Sequence, residues 1–431
     1  MTLSAETYSD SLWWRCAAEP AVPSDPPEEA LRPVDVAVIG GGFTGLSAAL
    51  HLAEAGRSVT VIEARHAGFG ASGRNGGQVI PGIKIDPDEI LARWGPEAGA
   101  RALDFVGTDA DLVFDLIDRH AIACAPRRKG WIQAAHSIRA LGPILARARQ
   151  WERQGAPIEI LDRDAIAAAT GTEAYYGGWR DLRAGVVQPL AFARGLARAA
   201  QAAGARILQD TQAAAPEPDG DGWRIATPHG TLRARAVIVA ANAYGEGLIP
   251  GLSRSVLQVQ STVIATEPLS PNVAASVLPA GACVSETRKL AFYFRKEDDG
   301  RLIFGGRGAV GADYATDLAR ALEDGMRRMY PQIGDAAVAH EWSGHLALTL
   351  DHLPHLHAPA PGLFAALGYN GRGLALATAT GRALARHIAE GAPLPIPASA
   401  IRPVAWHGVR APVMNAGIRF YWLKDRLGFA S

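Results

Sequence analysis

The chain has 431 residues, of which 48% are hydrophobic and 20% charged, and its 43 Lys and Arg balance 43 Asp and Glu. At roughly 100–200 residues per domain this length gives two or three domains with a large core, which excludes a small disulfide-stapled scaffold. Zero net charge excludes a strongly basic nucleic-acid binder and an acidic tail, and the hydrophobic content excludes the disordered class. The three cysteines, Cys16, Cys124 and Cys283, are far apart and form no CxxC, so neither a disulfide framework nor a metal site is expected. Residues 1–33 carry Trp13 and Trp14 before a Pro-rich acidic run; with no basic n-region and no apolar h-region they read as a docking segment rather than a signal peptide. No stretch reaches the ~18 apolar residues of a spanning helix. The expected location is the cytoplasm.

In chain order, the apolar run Val34–Ile39 ends in glycines, as a strand covered on both faces does, and Phe43 to Ala55 reads as a helix closed by Gly56. A second apolar strand, Ser58 to Glu63, completes a βαβ unit. Ile90, Leu91, Leu103, Val106, Leu112, Val113, Leu116 and Ile117 fall at helical spacing, which predicts two helices between 86 and 122. Strands are expected in 129–134 and 173–187, a helix over Leu190–Ala203, and a strand at Ala205–Gln209. Trp223–Arg235 resembles a hairpin around His229 and Gly230, and Ala236–Ala241 returns as an apolar strand. Leu257–Ala265, Ala291–Arg295 and Arg301–Gly305 are strand-like and predict a second, antiparallel sheet. Leu363–Leu367, the turn Gly368–Gly373 and a helix over Leu374–Glu390 repeat strand, glycine turn and helix. Pro393, Pro395 and Pro397 open a tail whose aromatics, Phe420, Tyr421, Trp422 and Phe429, predict docking.

Gly40, Gly42 and Gly45 form GxGxxG directly after the first strand, and Glu63 closes the second. The first glycine permits a tight turn, the second lets backbone approach a pyrophosphate, and the third lets helix and strand pack. Phosphates meet the helix N-terminus, and an acid at 63 accepts from ribose hydroxyls while repelling the 2′-phosphate of NADP. A GxGxxG alone also serves packing; the βαβ context is what favours a dinucleotide. Gly68 to Gln78 then packs glycines and polar side chains into one loop. A plain NAD domain has no use for so extended a cradle, whereas a flavin offers many acceptors to closely approaching N–H donors; the bland alternative is a surface loop. The second glycine turn, Gly368-Tyr369-Asn370-Gly371-Arg372-Gly373, precedes a helix whose N-terminal donors favour negative charge on a reduced flavin. An ordinary strand-to-helix connection is the competing reading.

GGGFTGLSAAL, GFGASGRNGGQ, VIVAANAY, RLIFGG, EWSGHLALTLDHLPHL and GYNGRGLALA together resemble the D-amino-acid oxidase superfamily of FAD-dependent amine oxidoreductases, in particular its branch acting on γ-glutamylputrescine. The likeness runs from Tyr8, Trp13 and Trp14 to WLKDRLGF at the end. It implies an α/β protein, with a Rossmann-like FAD domain of the glutathione-reductase type and a substrate domain on a mixed or antiparallel sheet. The expected division is residues 1–33 as N-terminal docking segment, 34–85, 188–245 and 335–392 as the discontinuous FAD domain, 86–187 and 246–334 as the substrate domain, and 393–431 as docking tail. Carried over residue by residue, the resemblance places Gly40, Gly42, Phe43, Thr44 and Gly45 on the pyrophosphate, with Glu63, Ala64 and Arg65 at the adenosine ribose. Ala71, Ser72, Gly73, Arg74, Asn75, Gly76, Gly77 and Gln78 follow the ribityl chain and ring, Ala214 offers backbone to adenine, and Ala241 approaches the cofactor. Gly344, Gly371, Arg372, Gly373 and Leu374 close around the pyrimidine end. The flavin is expected to be non-covalent, because Cys283 is far from the final turn and His66 is outside the matching context.

The resemblance also implies oxidation of an amine C–N bond by hydride transfer to flavin N5, giving an imine that water hydrolyses. This demands orientation of a neutral amine more than a strong base. Candidate pocket residues are Tyr293, Arg295, Trp342, His345, Tyr369 and Asn370, with Arg295 suited to a substrate carboxylate such as a γ-glutamyl group. Each has a plain structural alternative in sheet packing, ion pairing or a satisfied histidine. His352, His355 and His357 do not match a metal spacing. Ala291 and Phe292 stand where a more polar context is expected. Three readings stay open: an amine oxidase releasing hydrogen peroxide, a dehydrogenase passing electrons to a quinone or another carrier, and a catalytically silent cofactor-binding subunit. The expected partners are a small amine and oxygen or another acceptor, with no nucleic acid, no metal and no transmembrane segment.

Overall fold

The computed structural model describes residues 11–307 and 315–426. It begins with α1 (Leu12–Cys16), α2 (Pro27–Ala30), β1 (Val34–Ile39), α3 (Phe43–Glu54) and β2 (Val59–Ile62). β1 and β2 pair in parallel with Val38 opposite Val61. Val36 and Val38 face one core with Leu46 and Leu50 of α3, while Ala37 and Ile39 face another. A strand buried on both faces is apolar where it is covered, which is why β1 is apolar from Val36 to Ile39, while Asp35 near its open end is only partly buried and accepts from Ser58.

The next stretch holds β3 (Gln78–Val79), α4 (Pro87–Gly107), α5 (Asp109–Arg119), β4 (Trp131–Ala134), α6 (Ile138–Arg153), β5 (Ile158–Leu161) and α7 (Arg163–Thr170). β6 (Gly178–Asp181), β7 (Gly185–Val186), α8 (Pro189–Ala202) and β8 (Arg206–Leu208) follow. Then come β9 (Glu217–Asp219), β10 (Gly222–Thr227) and β11 (Gly230–Val239). β11 is one ten-residue strand that contains both the hairpin return and most of the apolar run expected to follow it.

The rest comprises β12 (Leu257–Thr266), α9 (Pro271–Ser276), β13 (Cys283–Glu286), β14 (Phe292–Lys296), β15 (Leu302–Arg307), α10 (Ala315–Met329) and β16 (Val338–Leu348). β17 (His355–Ala360), β18 (Leu363–Leu367), α11 (Gly373–Glu390) and α12 (Arg410–Arg426) close it. The first sheet runs β17-β18-β11-β1-β2-β8, parallel except for β17, with the β9–β10 hairpin leaving from β11. The second runs β16-β12-β15-β14-β13-β4-β6-β5, antiparallel except where β13 meets β4. This is the mixed α/β fold expected.

The second sheet has a dry face and a working face. Ile132, Val284, Phe294, Phe304 and Ile264 pack with Leu322 and Met326 of α10. One residue along each strand, and therefore on the opposite face, lie Gln133, Ser285, Tyr293, Gly305 and Val263, which the register sets side by side.

Three boundaries differ from expectation. Val338–Leu348 pairs with β12 as the edge of the second sheet, so the segment 335–392 does not lie wholly with the first. α5 packs on α11, and the buried residues of α4 and α5 share the core of the first sheet, because their apolar stripes complete the helical layer there. The tail docks at its start, where Ile396 and Val404 are buried; Phe420 is exposed, and the side chains of Tyr421 and Trp422 and all of Phe429 lie outside the described residues. The N-terminal segment does dock, with Trp13 fully buried. Among the described residues no helix is long and apolar enough to cross a membrane.

Candidate functional site

At the carboxyl end of β1 the backbone turns at Gly40 with φ of +110°, and a Cβ there would come within 2.9 Å of the Ala240 carbonyl. A Cβ on Gly42 would stand 2.9 Å from Ser72 Oγ, and one on Gly45 would run into the Gly40 carbonyl. Glu63 is held at the end of β2, its Oε2 accepting from Gly41 N at 2.6 Å and Oε1 from Arg65 N at 2.9 Å. Burial pushes its pKa up and the two amides oppose that. Ser72 Oγ accepts from Phe43 N at 3.0 Å, tying the second glycine loop to the first turn of α3, whose N-cap Gly42 supplies no side chain.

The loop after β2 lies against the second sheet. A Cβ on Gly76 would be 2.7 Å from the Tyr293 ring, and one on Gly344 would be 3.1 Å from the Arg74 side chain. Tyr293 OH shares a 2.9 Å hydrogen bond with Ser261 Oγ, and Ser285 Oγ donates to Gln78 Oε1 at 3.2 Å. Gln133 Oε1 accepts from Trp179 Nε1 at 3.0 Å. The third wall is the turn after β18. There Asn370 takes φ of +54° and donates from Nδ2 to the Gly368 carbonyl at 2.6 Å, while its Oδ1 accepts from Thr349 N at 3.0 Å. Tyr369 OH bonds Thr44 Oγ1 at 2.6 Å, joining that turn to α3.

These walls enclose one cavity of about 570 Å³, within the roughly 300–1,000 Å³ of small-molecule and cofactor sites. It is lined at one end by Gly40, Gly42, Phe43, Thr44, Glu63, Ala64, Arg65 and Ala241, and along its length by Ala71, Ser72, Arg74, Asn75, Gly76 and Gln78. Gly344, Gly371, Arg372, Gly373 and Leu374 line it too, as do Tyr293, His345, Tyr369 and Asn370. Other expected residues do not line it. Gly45 serves helix packing, Gly73 is buried off the lining, and Gly77 faces the Arg295 guanidinium and the Val187 carbonyl. Ala214 spends its N–H on the Ala226 carbonyl, while its neighbours Gln212 and Ala213 reach the cavity.

Arg295 and Trp342 are likewise excluded. Arg295 is buried, paired with Glu297, and donates to the carbonyls of Gly77 and Val187. Trp342 donates to the Arg74 carbonyl at 2.9 Å. Trp131, Gln133, Ser261, Ser285 and Lys84 line the cavity without having been anticipated. Alternation along the strands places Gln133 and Ser285 beside Tyr293 once the register is known, but nothing in the chain shows that register.

Arg372 is the notable cation. Its guanidinium sits 4.9 Å over the Trp131 ring, and burial draws its pKa down to about 10, so it stays charged at neutral pH. Glu286, the buried acid in the wall, is consumed by Arg288, Tyr175 OH and Phe292 N. His345 is pushed toward the neutral imidazole by burial and by Arg74, and its Nδ1 is buried without a hydrogen-bond partner among the described residues. Glycine turns that admit no Cβ, an anchored acid at the end of β2, backbone donors at two helix N-termini and an orphaned imidazole nitrogen in one cavity fit a dinucleotide with a redox ring. Among the described residues there is no cluster suited to a metal ion.

The family model described as "FAD dependent oxidoreductase" (DAO) matches residues 35–387. The chain is 32% identical to gamma-glutamylputrescine oxidoreductase of Escherichia coli (strain K12) over 431 residues, 98% of this chain and all of that one. It is 34% identical to the probable oxidoreductase OrdL of Rhizobium meliloti (strain 1021) over 86% of each chain. The crystal structure of glycine oxidase from Geobacillus kaustophilus superposes with a TM-score of 0.71 at 25% identity, covering 86% of this chain and 99% of that chain.

Proposed function

The chain belongs to the DAO family of FAD-dependent oxidoreductases acting on amines and amino acids, and from that membership we propose that it oxidises the C–N bond of a γ-glutamylated polyamine or a related amine that carries a distal carboxylate. The observation that carries this reading is the charge of the second-sheet end of the cavity. Arg372, stacked on Trp131, and Lys84 bring positive charge there, while Glu286, the buried acid that the second sheet adds to the lining, is tied to its own arginine. Such an end favours a carboxylate and disfavours the ammonium of an unmodified diamine.

When bound, FAD supplies the two-electron acceptor for the carbon that bears the amine. The chain's own residues bind and orient. Gln133, Ser285, Tyr293 and Ser261 form a polar row across the roof whose hydroxyls and amide can hold an extended substrate. His345, kept neutral by its burial, offers a nitrogen to an amine proton without adding a second positive charge beside it. The apolar surroundings of Phe292, Leu346 and Trp131 thin out water around the reacting carbon. Cofactor attachment is non-covalent in this reading: none of the three cysteines lines the cavity, and the His66 ring lies between Trp14 and Phe69. With oxygen as acceptor the products are the imine, then its hydrolysis products, and hydrogen peroxide.

The test is a steady-state comparison of a γ-glutamylated diamine, its parent diamine, N-methyl amino acids, D-amino acids and glycine, with peroxide measured per turnover. A charge-assisted pair is worth about 1.5–3 kcal/mol, so kcat/KM should favour the γ-glutamylated diamine over its parent by roughly 10–100-fold. Equal or better use of the parent diamine contradicts the substrate assignment. Turnover with an artificial carrier but no peroxide in air replaces the oxidase with a dehydrogenase.

A further inference from the structure

The loop from Gly68 to Gln78, expected to cradle the cofactor, is gripped from behind by three side chains that were expected to serve the substrate, as Arg295 and Trp342, or docking, as Trp13. Trp342 Nε1 donates to the Arg74 carbonyl at 2.9 Å, Trp13 Nε1 to the Asn75 carbonyl at 2.8 Å, and Arg295 Nη1 to the Gly77 carbonyl at 3.0 Å. All three side chains are buried, and Trp13 touches both others, with the Arg295 guanidinium 4.9 Å over its ring and the Trp342 ring edge-on at 5.4 Å. Gln188 Nε2 fixes Trp13 in turn by donating to its carbonyl at 2.7 Å.

In a trans peptide the N–H of the following residue points opposite to the carbonyl. With the Asn75 carbonyl turned back toward Trp13, the Gly76 N–H is aimed forward, and Gly76 lines the cavity. The neighbouring donors are already used: Asn75 N goes to the Ala71 carbonyl and Gly77 N to Asn75 Oδ1. Gly76 N–H has no acceptor among the described residues of the protein.

We propose that Trp13, Trp342 and Arg295 are positioning residues which hold the carbonyls of Arg74, Asn75 and Gly77 away from the cavity, so that the Gly76 N–H serves as a preorganised donor to an acceptor atom of the bound FAD. Trp13 lies outside the 35–387 stretch that the family model matches, so the N-terminal segment adds its own control over the cofactor. A donor fixed toward a ring that gains electrons stabilises the reduced state and raises its potential, because no reorganisation is needed when the charge develops.

The experiment uses the holoenzyme of Trp13→Phe, which keeps an aromatic ring and removes only the N–H. The expected result is a shifted visible band of the bound flavin, a more negative midpoint potential and a dissociation constant for FAD raised roughly 2–10-fold, the range of one hydrogen bond. A spectrum, potential and affinity identical to wild type overturn the proposal. Should that variant fail to fold, Trp342→Phe removes the neighbouring N–H and must move the same readouts in the same direction. In the wild-type holoenzyme itself, the Gly76 amide is expected to be protected from hydrogen exchange; rapid exchange there overturns the proposal without any variant.

Discussion

Asp109 opens α5 with its carboxyl fully buried, and that burial raises its pKa well above the usual carboxylate range against the pull of Arg183 and Arg372. An acid raised on folding contributes stability below its unfolded value of about 3.9 and loses it as pH rises toward the folded value. Asp109→Asn removes that dependence. Urea midpoints from pH 4 upward should show the variant gaining on wild type, by up to about 1.4 kcal/mol per pH unit while the wild-type carboxyl stays protonated only when folded; a constant difference between the two contradicts the assignment. Gly76 makes a second residue-level prediction. A methyl there meets the Tyr293 ring, so Gly76→Ala should cost about 1–3 kcal/mol and release FAD on gel filtration; full retention of flavin with unchanged melting contradicts it. Arg295 shows where a single residue lies outside the cavity it was expected to line, and Arg372 shows a contact that local sequence does not reveal. Arg295 shares a strand face with Tyr293, so alternation puts it in the pocket, but Trp13, more than 280 positions earlier in the chain, covers it. The Arg372 guanidinium crosses from the turn after β18 to the Trp131 ring on the other sheet. Neither contact leaves a local trace in the chain.

The β1–α3–β2 unit was readable because its information is local: an apolar run, glycines at fixed offsets and an acid at the end of the second strand. Its packing gives an element-level prediction. Gly45 and Gly56 lie at opposite ends of the same helical stretch, yet a Cβ on Gly45 would overlap the Gly40 carbonyl whereas one on Gly56 meets nothing within 4 Å. Gly45→Ala should therefore cost about 3 kcal/mol or more through overpacking of helix on strand, and Gly56→Ala only the ~1–2 kcal/mol of a left-handed backbone with a side chain. Thermal melts of the two variants compare them directly; equal losses would show that α3 can move away from β1. The second sheet was only half readable. Its strands β12, β14 and β15 stand out by composition, but β13 is only four residues long and ends in Ser285 and Glu286, and β16 carries His340, Glu341, Ser343 and His345, so neither looks like a buried strand.

At the scale of the molecule, the cavity exists because two sheets with different jobs close on each other. The first presents turns at the ends of its parallel strands, where backbone donors gather, and the second presents a face whose alternate residues are polar. The βαβ unit was legible in glycine spacing, and the family, its fold class and its flavin in the resemblance of whole motifs; the second sheet's register and the reach of the N-terminal segment were not, since both depend on contacts between distant parts of the chain. The glycine loops proposed to cradle the cofactor and the cations proposed to meet the substrate line one continuous space. The most direct test is an anaerobic titration of the yellow holoenzyme with a γ-glutamylated diamine while the visible flavin band is followed. The account predicts stoichiometric bleaching with one equivalent per bound flavin; a band left unchanged by this and every other amine tried would contradict it.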